Sequence, residues 1–293
     1  MPELPEVETV RRDLKARVLD KKIKEVLILN SKTLKSPAKE SLKILTGNSF
    51  SDILRRGKLL IFKLKREDKY LLIHLKMTGQ LIYLSQKEKL AGGHSLSSHS
   101  FEKSVGGELP NKHTRAQITF NDKSNLFFND LRKFGYIKLV TKKELEKVIA
   151  ANYGPEPLDN NFVQEDFATQ LKKKKRNIKA VLLDQKLVAG LGNIYVDEVL
   201  FSAGIRPERL ASSLNNQEIK KIHQSIIKIL TTAIKYRGTT FSNFVDSEGK
   251  KGNFSTRLKV YGRGKLSCYH CSSAIIKTKI AGRGTHYCPN CQK

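Results

Sequence analysis

The first residues of the chain contain a possible amine nucleophile, because Pro2 follows Met1 directly and Glu3 comes next. If Met1 is removed, Pro2 carries a free secondary amine. An α-amino group has a reference pKa of about 7.7–8.0, against about 10.4 for lysine. A useful fraction of such an amine is unprotonated at neutral pH and can attack an electrophilic carbon to form an imine. Glu3 could act beside it as general acid or base. An ordinary helix start after Met1 is the alternative.

Four cysteines form a second chemical pattern near the end of the chain. They make two Cys-x2-Cys pairs separated by sixteen residues: Cys268, Cys271, Cys288 and Cys291. This spacing is typical of sites in which four thiolates bind one tetrahedral zinc ion. A redox dithiol pair is the alternative, but it needs a thioredoxin-like context that the sequence lacks. We therefore predict one structural zinc ion and no disulfide framework.

Two basic residues stand beside glycines, where the backbone can turn tightly. Lys58 follows Gly57 at the start of an apolar strand and could point into a cleft, although a solvated strand-end lysine is the usual interpretation. Arg283 lies between two glycines, which suits the tip of a hairpin held by the zinc ion. An exposed arginine in a turn, without a role, is the alternative.

A possible phosphate site lies at the start of a predicted helix, Ile194–Ala203. The preceding Gly190-x-Gly192-Asn193 frees backbone N–H groups at the helix N-terminus, and the basic run Lys172–Arg176 comes shortly before it. Both features suit binding of a phosphate. A solvated basic helix face is the alternative for the run.

Composition indicates a polyanionic partner. The 293 residues include 55 Lys and Arg against 28 Asp and Glu, which makes a formal net charge of +27. An excess of this size most often indicates binding to nucleic acid. No apolar run approaches the roughly 18 residues of a membrane span, and the acidic, proline-bearing start excludes a secretory signal. We expect a soluble intracellular protein that does not bind membranes.

The elements that must position these residues change character along the chain. Pro5 suits the first position of a helix whose apolar face holds Val7, Val10 and Leu14. Short strands then predict a β-sandwich or barrel against which this helix lies. The strands are Ile23–Leu29, Leu59–Leu64, Tyr70–Leu75, Gly79–Leu84, Ala116–Phe120, Leu126–Phe128 and Tyr136–Val140.

The second half is predicted to be helical. The helices are Lys142–Asn152, Glu165–Leu171, Asn177–Asp184, Ile194–Ala203 and Gln217–Tyr236, and Gly204 suits the end of the fourth. Serine and glycine in Ser85–Lys112 predict a mobile loop. The composition of Arg237–Gly252 suits a lid.

The start of the chain resembles a known family. Pro-Glu-Leu-Pro-Glu-Val-Glu-Thr-Val-Arg-Arg, from Pro2 to Arg12, is similar to the N-terminus of bacterial formamidopyrimidine-DNA glycosylases. The resemblance implies that Pro2 is the nucleophile, that Glu3 is its acid/base partner and that Lys58 is the catalytic lysine. The cysteine segment resembles the family's zinc finger, whose arginine, here Arg283, contacts the damaged nucleotide's phosphates and assists strand cleavage.

Further motifs extend the resemblance over nearly the whole chain outside Ser85–Lys112. Asp184–Glu198 resembles the family's helix–two-turns–helix, which implies that Asn193 and Lys174 contact DNA phosphate. The segments His74–Gly79 and Leu131–Gly135 resemble the wedge that fills the gap left by an extruded base. The wedge residues would be Met77, Arg132 and Phe134, and His113 matches a further DNA contact. From the residues alone, a core position is the usual interpretation of Met77, and Leu131–Gly135 is interpreted as a basic turn with one core aromatic residue, Phe134.

We therefore predict a multidomain α+β protein with an N-terminal β-sandwich, flanking helices, a helix–two-turns–helix domain and a four-cysteine zinc finger. The expected domains are residues 1–153, a linker at 154–161, residues 162–260 and residues 261–293. DNA would lie in a basic cleft between the N-terminal and helical domains.

The resemblance implies a monomeric bacterial cytoplasmic enzyme that excises 8-oxoguanine and formamidopyrimidines from double-stranded DNA and then cuts the strand by β,δ-elimination. The alternatives are an endonuclease-eight-type glycosylase for oxidised pyrimidines and a non-catalytic zinc-containing DNA-binding protein.

Overall fold

A computed structural model describes residues 2–94, 96, 100–239 and 254–293. These residues divide into two compact units, of which the first contains residues 2–149 with 236–239 and the second contains residues 150–235 with 254–293. Within the described part of the chain, no helix combines the length and apolarity needed to cross a membrane.

Two antiparallel sheets and a helix make up most of the first unit. Helix α1 (Leu4–Val18) is followed by β1 (Ile23–Ile28), α2 (Ala38–Leu45), β2 (Phe50–Arg56), β3 (Leu59–Leu64), β4 (Lys69–His74), β5 (Gly79–Leu84), β6 (Lys89–Gly93), α3 (Phe101–Val105), β7 (Thr114–Phe120), β8 (Asn125–Asp130) and β9 (Tyr136–Thr141). The five-stranded sheet has the order β1-β7-β8-β5-β6, and the four-stranded sheet has the order β2-β3-β4-β9. Side chains of both sheets and of α1 share one buried core, which confirms the predicted β-sandwich.

Helix α1 begins one residue earlier than the sequence predicts. Glu3 is its N-cap, and Pro5 therefore occupies the second helical position. The side chains of Glu3 and Glu6 each accept a hydrogen bond from the other residue's backbone N–H, which satisfies two donors that a helix start leaves unpaired. Val7, Val10 and Leu14 face the core, as their spacing predicts.

The prediction of a mobile loop over Ser85–Lys112 is wrong in two places. Strand β6 pairs with β5 in the antiparallel sense at the edge of the five-stranded sheet, and α3 follows β6. The physical reason is burial, because Val105 packs with Ile82 and Phe127 in a small apolar cluster. Residues 95 and 97–99 lie outside the described residues. Strand β2 and helix α2 are additions that the sequence-based prediction did not contain.

Helices dominate the second unit. Helix α4 (Lys142–Asn152) begins in the first unit, and its last three residues belong to the second. The helices that follow are α5 (Gln164–Lys172), α6 (Ile178–Leu182), α7 (Asn193–Ala203) and α8 (Asn216–Lys235), and the hairpin β10 (Ile276–Ile280) and β11 (Arg283–Tyr287) comes after them. Gly204 ends α7 in the left-handed conformation, as predicted. Apolar residues on one face of α8 are buried, including Ile219, Ile222 and Ile226. Residues 240–252 of the predicted lid lie outside the described residues.

Candidate active site and nucleic-acid interface

The start of α1 is buried and held on two sides. Pro2 is buried, and Glu3 is only 1% exposed. The Glu3 backbone N–H donates to Glu6 Oε2 at 2.9 Å, and the Thr239 N–H donates to Glu6 Oε1 at 2.7 Å. A Cβ atom at Gly238 would lie 2.5 Å from Glu6 Oε1 and would have to displace the Glu6 carboxylate, and the φ of 77° at this position also favours glycine. The chain after α8 thus fixes the first turn of α1.

Lys58 lies in the two-residue turn between β2 and β3, where Arg56 pairs with Leu59. Gly57 has a φ of 54°, a conformation that favours glycine at the first position of such a turn. The Lys58 side chain is buried, with 9% of the residue exposed. The interpretation of Lys58 as a solvated strand-end lysine is therefore wrong.

His74, to which the sequence analysis assigned no role, lies at the end of β4. Its Nδ1 accepts a hydrogen bond from the Lys76 backbone N–H at 2.9 Å. Burial and, to a smaller extent, the positive charges of Lys76 and Lys58 together lower the pKa of His74 to about 3. The ring is therefore neutral at physiological pH, with its proton on Nε2 because Nδ1 is an acceptor. Its position at a strand end before a basic turn was the available sequence signal.

Glu8 forms the centre of a cluster of three arginines, which the sequence analysis also missed. Arg11, Arg12 and Arg55 donate to its carboxylate at distances of 2.7–3.0 Å. Burial opposes ionisation of Glu8, but the three guanidinium groups outweigh it and lower the pKa of the carboxyl to about 2. The i,i+3 and i,i+4 spacing of Glu8 to Arg11 and Arg12 was visible in the sequence, whereas the contact with Arg55 was not.

The three predicted wedge residues lie together in the first unit. Arg132 Nη1 lies 3.1 Å from Met77 Sδ, and the Arg132 guanidinium lies over the Phe134 ring at 4.7 Å. Met77 is 36% exposed and Phe134 is 54% exposed. Neither residue is a core residue, so the alternative left open for them is wrong.

Asp130 organises the turns that carry this wedge. Its carboxylate accepts hydrogen bonds from the Thr78 hydroxyl and from the backbone N–H groups of Arg132 and Gly135. Its backbone N–H donates to the carbonyl of His113 at 2.9 Å. One buried carboxylate therefore connects both wedge turns, and its backbone connects them to His113.

The Sγ atoms of the four cysteines lie within 4.8 Å of one another in the second unit. The pairs Cys268–Cys291 and Cys271–Cys288 are 3.9 and 3.4 Å apart. Tetrahedral coordination with Zn–S distances of about 2.3 Å requires S···S distances of about 3.8 Å. The donor set therefore fits one zinc ion, and its four thiolates would complete the coordination shell.

The zinc-binding segment carries the hairpin β10–β11. Ala281 and Gly282 form its two-residue tip, both with positive φ, as a type I′ turn requires. Arg283 pairs with Ile280 and is exposed, so it is the first strand residue beside the tip and not the tip itself. The difference arises because Gly282 takes the second turn position.

The carbonyl of Gly284, the residue after Arg283, accepts hydrogen bonds from side chains on two helices, α6 and α7. Gly284 O accepts from Asn193 Nδ2 at 2.9 Å and from Lys179 Nζ at 3.0 Å. Lys179 is fully buried and pairs with Asp197 at 2.6 Å. Asn193 is the first residue of α7 and thus contacts the hairpin directly, a contact that the sequence analysis did not predict.

Lys174 is half-buried, and its backbone N–H donates to Leu171 O at the end of α5.

The candidate residues divide into two sets, one in each unit. The first contains Pro2, Glu3, Lys58, Met77, His113, Arg132 and Phe134, and the second contains Lys174, Asn193, Arg283 and the four cysteines.

Three family models match the chain in order along its length. They are the formamidopyrimidine-DNA glycosylase N-terminal domain at residues 1–137, the formamidopyrimidine-DNA glycosylase H2TH domain at residues 153–245 and the zinc finger found in FPG and IleRS at residues 266–293. The H2TH and zinc-finger matches agree with the predicted helix–two-turns–helix and four-cysteine segments.

Known proteins match over the full length. The formamidopyrimidine-DNA glycosylase of Listeria monocytogenes is 42% identical over 295 aligned positions, covering 100% of both chains. That of Shouchella clausii is 43% identical, covering 100% of this chain and 99% of its own. A Lactococcus lactis FPG complex with DNA containing Fapy-dG has a TM-score of 0.85 at 37% identity, covering 99% and 100% of the two chains. The Lactococcus lactis Fpg complex with abasic-site DNA has a TM-score of 0.86 at 36% identity, covering 99% of each.

Proposed function

The chain belongs to the formamidopyrimidine-DNA glycosylase family, and from that premise we propose that it excises oxidised purines from double-stranded DNA and then cleaves the strand. One observation carries this proposal: Met77, Arg132 and Phe134, from two separate turns, meet in one exposed cluster. An enzyme that acts on a base within a duplex must extrude that base and fill the space it leaves. An exposed thioether, guanidinium and aromatic ring suit that task.

The proposed chemistry uses the N-terminal amine. After removal of Met1, the Pro2 nitrogen attacks C1′ of the damaged nucleotide, and the bond from C1′ to the base breaks. Glu3 and Lys58 supply and accept protons, and the base leaves protonated. The C1′–O4′ bond then breaks, O4′ takes up a proton as the sugar ring opens, and a covalent iminium between C1′ and the Pro2 nitrogen remains. β-Elimination then breaks the C3′–O bond and δ-elimination breaks the C5′–O bond.

The remaining candidate residues bind DNA or maintain the fold. We assign phosphate contacts to His113, Lys174 and Asn193, and a phosphate contact that assists strand cleavage to Arg283. Zinc held by the four cysteines stabilises the segment that carries Arg283. The domain division predicted from sequence, with its linker at 154–161, forms part of this proposal. We also propose that the protein acts as a monomer in the bacterial cytoplasm, where its DNA substrate lies.

Borohydride trapping tests the proposal. Reduction during turnover of a duplex containing 8-oxoguanine should give a covalent protein–DNA adduct, and mass spectrometry should place it on a peptide that begins at Pro2. An undamaged duplex of the same sequence should give no adduct, and a chain that retains Met1 should give none on either duplex. If the processed chain gives no adduct with the damaged duplex, the enzymatic proposal is wrong.

The same assay separates the alternatives. A duplex containing an oxidised pyrimidine should be trapped more slowly than the 8-oxoguanine duplex, and the reverse order would indicate the endonuclease-eight type. Binding without any adduct would indicate a non-catalytic DNA-binding protein. The names of the relatives support the purine preference.

A further inference from the structure

Glu8 and Arg55 connect the helix that begins near Pro2 to the turn that holds Lys58. Glu8 lies on α1, five residues after Glu3, and its side chain is 8% exposed. Arg55 is in β2, its side chain is 11% exposed, and its Nε donates to Glu8 Oε2 at 3.0 Å. Because both groups are largely removed from water, this ion pair has a defined geometry that solvent screens little.

The other end of the same guanidinium reaches the turn itself. Arg55 Nη1 donates to the carbonyl oxygen of Gly57 at 2.9 Å. Gly57 and Lys58 are the two residues of this turn, so the carbonyl that Arg55 holds belongs to the peptide unit joining them. A planar guanidinium presents several donors in a fixed fork, whereas an ammonium is a single point of charge. One rigid group can therefore fix both the Glu8 carboxylate and the Gly57 carbonyl.

We propose that Arg55 is a positioning residue: with Glu8, it sets the position of Lys58 relative to the N-terminal nucleophile, Pro2, which directly precedes α1 and its N-cap. The inference rests on the proposed functions of Pro2 and Lys58. Proton transfer to the leaving base requires that the ammonium and the amine face the same nucleotide within a small tolerance, and misplacement by about 1 Å can reduce a rate by about a hundredfold. If the buried ion pair served only stability, weakening it would not slow the reaction in protein that remains folded.

The neighbouring arginine provides a matched control. Arg12 donates to Glu8 Oε1 at 2.7 Å, so it binds the same carboxylate as Arg55. Its side chain is 59% exposed and it lies on α1 itself, not on β2. The substitutions Arg55→Lys and Arg12→Lys make the same chemical change at one carboxylate, but only the first weakens the link to the Gly57 carbonyl.

Single-turnover excision and borohydride trapping on the 8-oxoguanine duplex would test the inference. Arg55→Lys should slow both steps by about tenfold, with unchanged affinity for the duplex and a melting temperature close to that of the wild type. Arg12→Lys should leave the rate within about twofold. A wild-type rate in Arg55→Lys, or equal losses in the two variants, would overturn the positioning role.

A double-mutant cycle distinguishes positioning from folding. If Arg55 acts through Lys58, then Arg55→Lys should have no further effect on the residual trapping rate of Lys58→Ala. If Arg55→Lys instead lowered the trapping rate by the same factor in the wild type and in Lys58→Ala, the proposal would be refuted. If Arg55→Lys does not fold, Glu8→Gln weakens the same contact from the other side, and the same outcomes apply. Failure of the wild type to form an adduct would instead refute the proposed function.

Discussion

At the scale of single residues, the site depends on buried carboxylates whose partners are specific. Glu6 binds backbone N–H groups at Glu3 and Thr239, Glu8 binds guanidinium groups, and Asp130 binds the wedge turns. A buried carboxylate without such partners would be costly. Each of the three therefore determines the position of a neighbouring segment.

Glu8 should make stability sensitive to acid. Because the pKa of Glu8 in the folded protein is lowered to about 2 from its ordinary value of 4.5, the contribution of Glu8 to stability is complete above about pH 4.5 and is lost as the pH falls through 2. The shift corresponds to about 3 kcal/mol. In urea unfolding, the difference in unfolding free energy between the wild type and Glu8→Gln should therefore shrink by about that amount from pH 6 to pH 2.

Glu40→Gln is the control for this titration. Glu40 is 65% exposed and pairs with Lys69 at 3.7 Å, and exposed pairs contribute about 0–1 kcal/mol. The unfolding free energy of the Glu40→Gln variant should therefore change with pH in parallel with that of the wild type across the same range. A constant difference between Glu8→Gln and the wild type would show that the Glu8 carboxyl is not selectively stabilised in its charged form.

At the scale of elements, the segment around α3 supports the candidate DNA contact at His113. Gly106 ends α3 with a φ of 89°, and a Cβ atom there would lie 2.8 Å from His113 Cδ2. Gly107 has a φ of 110°, but a Cβ atom there would have nothing within 4 Å. The two glycines therefore both have a positive φ, which would strain any other residue, and they differ in their contact with His113.

Alanine substitutions at these positions should separate strain from displacement of His113. Both Gly106→Ala and Gly107→Ala should lower stability by about 1–3 kcal/mol, because alanine disfavours positive φ. Gly106→Ala should also weaken binding to a duplex severalfold, since the ring must move. Fluorescence anisotropy would measure this, and equal affinities for the two variants would contradict a role of His113 in DNA binding.

The hairpin β10–β11 is also determined at this scale. The four cysteine sulfur atoms of the segment that carries this hairpin are placed to bind one zinc ion. Lys179 and Asn193 donate hydrogen bonds to the carbonyl of Gly284, the residue after Arg283. The metal and the helices thus restrict the same short segment. Arg283 is exposed, but its backbone is held in place.

At the scale of the whole molecule, charge should dominate the affinity for DNA. With 55 basic against 28 acidic residues, the logarithm of the binding constant should fall linearly with the logarithm of salt concentration, by about 0.9 for each phosphate contact. Lys174→Ala should reduce that slope by about one. Lys65→Ala should leave it unchanged, because Lys65 pairs with Asp20 at 2.6 Å. A flat salt response in the wild type would contradict binding through phosphates.

Local patterns in the sequence predicted most elements and the zinc ligands. Strands β3, β4, β5 and β9 lie within one residue of their predicted bounds, because short apolar runs that end at turn residues are typical of buried strands. Strand β2 was missed since Phe50 and Ile53, its buried residues, do not alternate. The loop prediction over Ser85–Lys112 gave too much weight to composition and too little to Leu90 and Val105, which are buried.

The sequence by itself determined the zinc ligands, the apolar face of α1 and the membership of the family, because these depend on residues close together along the chain or on whole-length similarity. Only the tertiary structure decided that Met77 meets Arg132, 55 residues away, and that Glu8 meets Arg55, 47 residues away. Such contacts depend on strand register and on the packing of α1 against β2, and a linear pattern encodes neither.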